Sequence, residues 1–122
     1  MNKVICNRLE IVHVNDIDIM YDDNVVFKPG KEFINLPLEE NAVYSSQSQI
    51  PSAGTILNET VNARIRYNEN LLFLKVGLKH YIVRLFTESG SFLVGSVKFP
   101  AEMTHSGDKI FENLSFSASK PL

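Results

Sequence analysis

A single cysteine, no long apolar run and almost no net charge exclude several classes of protein at once. Cys6 alone cannot form an internal disulfide, so no disulfide framework argues for an oxidising compartment. Twelve Lys/Arg against fourteen Asp/Glu leave a formal charge of −2. DNA affinity rests on several phosphate-neutralising cations, so this balance does not advertise nucleic acid. No apolar stretch approaches the roughly 20 residues of a membrane helix. The first apolar run, Val4-Ile5, is too short for the core of a secretory signal, so none is expected. Without one, the triplets Asn58-Glu59-Thr60 and Asn113-Leu114-Ser115 read as coincidental glycosylation-type sequences.

Catalytic signatures are missing as well. There is no phosphate-binding glycine loop, no dinucleotide fingerprint and no nucleophile elbow. His13, His80 and His105 are too far apart in the chain for zinc-type spacing. Asp16, Asp18, Asp22 and Asp23 form the densest acidic cluster. A calcium loop starting at Asp16 would need Gly at its sixth position and Glu at its twelfth, where Tyr21 and Phe27 stand. These carboxylates read as solvated turn residues. Cys6 and His13 are close in sequence, which is weak grounds for a nucleophile pair, and Cys6 lies near a chain end expected to be loosely held. No catalytic, cofactor-binding or metal-binding residues are assigned, and no enzyme activity is expected.

What is present is the composition of one globular domain spanning 1–122. Hydrophobic residues make up 44% and charged residues 21%, which argues against disorder. A chain of 122 residues buries roughly two-thirds of its unfolded surface and needs no metal or disulfide staple. Charge is uneven along it: residues 1–62 carry four Lys/Arg and nine Asp/Glu, and residues 63–122 carry eight and five. Two readings are open, intramolecular pairing between the halves and opposite-signed faces that orient neighbouring subunits.

Periodicity is that of β structure. Over 55–67, Thr55, Leu57, Val61, Ala63, Ile65 and Tyr67 share one face, with Glu59 the exception. Ile56, Asn58, Thr60, Asn62, Arg64 and Arg66 share the other. Period two marks a half-buried strand, and the length predicts a bulge near Glu59. A hairpin is expected from the β-formers of 79–87, the turn Glu88-Ser89-Gly90-Ser91 and the return strand Phe92-Leu93-Val94. Gly95 then marks a bulge or a close backbone approach, and Pro100 a strand end. A last hairpin turns near 104–108, placing His105 in a solvated turn, and 109–118 alternate again with Glu112 as the misfit. Before Tyr44 the signal is choppy: Leu9, Ile11 and His13 alternate with Glu10, Val12 and Val14. Short runs follow at 17–20, 25–27 and 33–36, separated by turn residues. The segment 69–76 reads as two helical turns or as a buried strand, with helix preferred. The expected fold is mainly β: an antiparallel β-sandwich or partly open barrel with one short helix.

From Ser45 onward the order of elements is distinctive. Ser45-Ser46-Gln47-Ser48-Gln49-Ile50-Pro51-Ser52-Ala53-Gly54-Thr55 leads into the long strand. His80-Tyr81-Ile82-Val83-Arg84-Leu85, Glu88-Ser89-Gly90 and Leu93-Val94-Gly95-Ser96 follow, and Leu114-Ser115-Phe116-Ser117-Ala118 closes the pattern. This order resembles small β-rich structural proteins of phages and prophages from gut bacteria, virion or tail-associated. The resemblance rests on order and spacing without a chemical motif. It implies a self-associating homo-oligomer working with other virion proteins, found in the virion or in the bacterial cytoplasm before assembly, with no nucleic-acid or membrane partner and no cofactor. The alternative expectation is a β-sandwich binding module recognising a glycan or a peptide, with Tyr44, Tyr67 and Tyr81 exposed as a stacking surface. Arg64 and Arg66 in register are too few for a single-stranded nucleic-acid face and read as a solvated or interface surface.

Overall fold

In the computed structural model, which describes residues 2–22, 24–50, 54–66, 79–107 and 110–121, strands dominate. They are β1 (Asn2–Cys6), β2 (Arg8–His13), β3 (Ile17–Tyr21), β4 (Asn24–Phe27), β5 (Ile34–Asn35), β6 (Ala42–Gln49), β7 (Ile56–Arg66), β8 (His80–Thr87), β9 (Gly90–Val94), β10 (Ala101–Gly107) and β11 (Phe111–Pro121). One turn of 3-10 helix, Val14–Asp16, follows β2. The segment 69–76 and Tyr67 lie outside the described residues, so the helix reading belongs to them alone. Among the described residues no helix is long and apolar enough to cross a membrane.

All strand pairs are antiparallel, in the order β1-β6-β7-β11-β10-β8-β2-β5, with β9 beside β8. The sheet is open and folds back on itself as a sandwich. The fold line is the brief junction of β10 with β8, only two residue pairs long, Ala101 with Tyr81 and Glu102 with His80. Gly95 lies beside it with φ +87, and a Cβ there would sit 2.8 Å from the Ala101 nitrogen and 3.1 Å from the Tyr81 carbonyl oxygen. The glycine therefore marks a close backbone approach.

Alternation then builds the core. The inward residues Val61, Ala63 and Ile65 of β7 and Leu114, Phe116 and Ala118 of β11 are buried against Leu9 and Ile11 of β2 and Tyr81, Val83 and Leu85 of β8. Strand β2 is buried on both sides, because β3 and β4 form a separate hairpin that covers its outer face. There Val12, Ile17 and Ile82 make a second cluster, with Met20, Val25, Phe27, Phe33 and Leu93 packed on it.

Three local expectations are revised. The register of β7 with β11 runs unbroken from Arg66 to Ile56, so no bulge interrupts it at Glu59. Glu59 keeps its place on the inward face, 8% exposed, because a tyrosine hydroxyl reaches its carboxylate. His105 lies within β10 rather than in a turn, since pairing with β11 extends to Gly107. Cys6 is held rather than loose: β1 pairs with β6 along its whole length and the cysteine is fully buried.

Candidate binding surfaces

The residues singled out for chemistry do not form one site, although Asp16 and His80 lie near enough to act on the charge of His13. His13 ends β2, where its Nδ1 accepts a hydrogen bond from the Asn15 amide at 3.1 Å and its ring meets Tyr81 edge-on at 5.5 Å. Burial lowers its pKa, against the opposing charge of Asp16. His80 is exposed at the start of β8, and His105 sits 3.2 Å from Glu112. Asp16 lies 3.9 Å from Lys31, and Asp22 takes a left-handed turn conformation. Among the described residues no three His, Cys, Asp or Glu side chains gather as metal ligands would. The Cys6 thiol is raised in pKa by burial, which disfavours the nucleophilic thiolate.

An ionic cluster around a buried glutamate was not legible in the sequence. Glu10 is 5% exposed on the outer face of β2. Its carboxylate accepts from Arg84 Nε at 2.8 Å and from Arg8 Nη2 at 2.7 Å. The Arg84 guanidinium lies over the Phe33 ring at 4.2 Å, and Arg8 also donates to Asn35 at 3.1 Å. Glu10 and Arg84 face each other across β2 and β8 but are far apart in the chain, so no local pattern could pair them. This pair, with Arg66 and Glu39 at 3.6 Å, joins the acidic first half of the chain to the basic second half. The uneven charge is thus partly absorbed inside the molecule.

Two surfaces are left without an internal role. The first is the outer side of the β3–β4 hairpin. Met20 and Val25 turn inward onto the second cluster, while Ile19 pairs with Val26 on the solvent side, next to Tyr21. Their exposures are 54%, 42% and 59%. Large apolar side chains grouped on solvent mark contact sites more often than singly scattered ones do.

The second surface is the outer face of β6, β7, β11 and β10. Strand register lines its side chains up in rows. One row runs Val43, Asn62, Ser115, Thr104, and the next Ser45, Thr60, Ser117, Glu102. On one side lie Gln47, Asn58 and Ser119, with the Ser119 hydroxyl donating to Asn58 Oδ1 at 2.6 Å. On the other lie Arg64, Asn113 and Ser106. A groove of 510 Å³ crosses this face between Asn41, Arg64 and Ser106, and another of 590 Å³ lies beside Phe99 and Ser119. Thr104 lines both. Arg64 stacks over Phe111 at 4.3 Å, and its Nε is shut off from solvent with no hydrogen-bond partner among the described residues.

Of the three tyrosines expected on a stacking surface, Tyr81 and Tyr44 are drawn inward and Tyr67 lies outside the described residues. Tyr81 is 2% exposed in the core, held there by the inward period of β8. Tyr44 is half-buried, edge-on to Phe92 at 4.9 Å, and donates its hydroxyl to Glu59 at 2.6 Å. Burial pushes the Tyr44 phenol up to about 12 from 10.0, helped by the Glu59 carboxylate. Burial does the same for Tyr81, helped by Asp16. A raised folded-state value means the stabilisation is complete below pH 10 and is lost as the pH climbs from 10 toward 12. The urea midpoint is therefore expected to fall over that window, and to fall less in Tyr44→Phe. Ionisation of all tyrosines near 10 in the still-folded protein would contradict this. No family model, curated protein or solved structure matches the chain.

Proposed function

We propose that this protein is a non-enzymatic structural subunit that self-associates, of the phage or prophage virion type that its sequence from Ser45 onward resembles. The observation that carries the self-association is the apolar outer side of the β3–β4 hairpin. Ile19, Tyr21 and Val26 stand on solvent there, although the same hairpin buries its other side fully enough to cover β2. Strands β1 and β5 add open sheet edges, short enough to avoid indiscriminate pairing. A patch used by every copy fits the closed symmetry of most homo-oligomers.

Sedimentation equilibrium over a concentration series tests the reading. The expected result is a discrete oligomer that Ile19→Asp converts to monomer without changing the circular dichroism spectrum. A strict monomer at the highest concentration, unaltered by co-expressed virion proteins, would sink it.

A further inference from the structure

We infer that the outer face of β6, β7, β11 and β10 is a binding site for a neutral oligosaccharide. Local preference does not explain its composition. Asn is depleted in strands and Ser is not among the strand-favouring residues. Yet the two longest strands place Asn58, Asn62, Asn113, Ser115, Ser117 and Ser119 on this one face. The inward positions of the same strands obey the ordinary rule, with Val61, Ile65, Leu114 and Phe116. A local rule broken on one face only, with no packing gained there, is the mark of a functional surface.

The chemistry of the face selects the ligand. Hydroxyl and amide side chains each both donate and accept, as sugar hydroxyls do. A polyanion or polycation would instead need a surplus of one sign. Here Arg64 is offset by Glu40 at the same groove, and Lys98 by Glu102 at the other. Shape allows an extended ligand: the two grooves are open to solvent and share Thr104, so a chain of sugars can lie across both. Phe99 supplies an apolar wall for the carbon face of a ring. The proposal uses the face opposite in the sandwich to the one covered by the β3–β4 hairpin, so it stands independently of self-association.

The test is a titration followed by amide NMR, using hexasaccharides of α-glucose, β-glucose, β-mannose and β-N-acetylglucosamine. At least one is expected to shift the amides of Asn62, Asn113 and Ser115 saturably, with a dissociation constant of about 1 mM or tighter. Replacing both exposed amides (Asn62→Ala with Asn113→Ala) is expected to weaken that binding at least about tenfold, about 1.4 kcal/mol, while the unfolding midpoint holds. Thr104→Ala, at the junction of the grooves, should weaken hexasaccharide more than disaccharide. Silence across the whole panel overturns the proposal. So do shifts confined to other residues, binding indifferent to the double substitution, or preferential binding of a heparin fragment.

Discussion

Phe116→Ala is expected to remove about 3–5 kcal/mol from the free energy of unfolding. Phe116 is fully buried on the inward side of β11, between Val61 and Met103 on the neighbouring strands. Its ring also meets Tyr81 edge-on at 6.2 Å, across the sandwich. Removing it loses the transfer free energy of a large side chain and opens a cavity bounded by strands on both layers. Those strands are held in register by long ladders and cannot close over the gap. Against a typical domain stability of about 5–15 kcal/mol the loss is severe. Urea denaturation followed by circular dichroism measures it. A loss below about 1 kcal/mol, in the range of a surface substitution, would mean the two layers do not meet at this ring.

Glu10→Ala is expected to cost about 2 kcal/mol, and Arg8→Ala less than about 1 kcal/mol, although both break the same cluster. The difference lies in what each change leaves behind. Glu10 is the only carboxylate the structure places between Arg8 and Arg84 among the described residues, and its side chain is 7% exposed. Without it two guanidinium groups face each other, one of them pinned over Phe33. The Arg8 side chain is 55% exposed, so water replaces much of what it loses, and Glu10 keeps Arg84. A double change of Glu10 and Arg84 to leucine should be less harmful than Glu10→Ala alone, because only Arg8, whose side chain is 55% exposed to water, is left without its carboxylate. Equal losses for Glu10→Ala and Arg8→Ala would refute the asymmetry.

Both effects bear on the two candidate surfaces through the same sheet. The core around Phe116 holds β11 flat beside β7, and that ladder spaces Asn62, Ser115 and Thr104 across the groove. The Glu10 cluster fastens β2 to β8, the layer on which the β3–β4 hairpin rests. Loss of the first is expected to disturb the polar face, and loss of the second the apolar hairpin.

Alternation in the sequence determined the strands and their faces wherever it was strict. Thr55 to Arg66 and the segment ending at Ala118 were legible because a side-chain period of two survives any arrangement of neighbouring strands. The hairpin at Glu88-Ser89 was legible because its turn is local. The tertiary structure alone decided which strands become neighbours, and two misreadings have that origin. Glu59 looked like an error in the pattern until Tyr44, on the adjacent strand, supplied its partner. Tyr81 looked available for stacking until a second layer closed over β8. Leu9 to Val12 alternate as a strand should, and the tertiary structure adds only that both of their faces are covered. The polar face follows the same logic. Each strand shows only a few Ser, Thr, Asn or Gln at alternate positions, and antiparallel register brings them into rows, since partners across a sheet are chosen by packing and not by proximity along the chain.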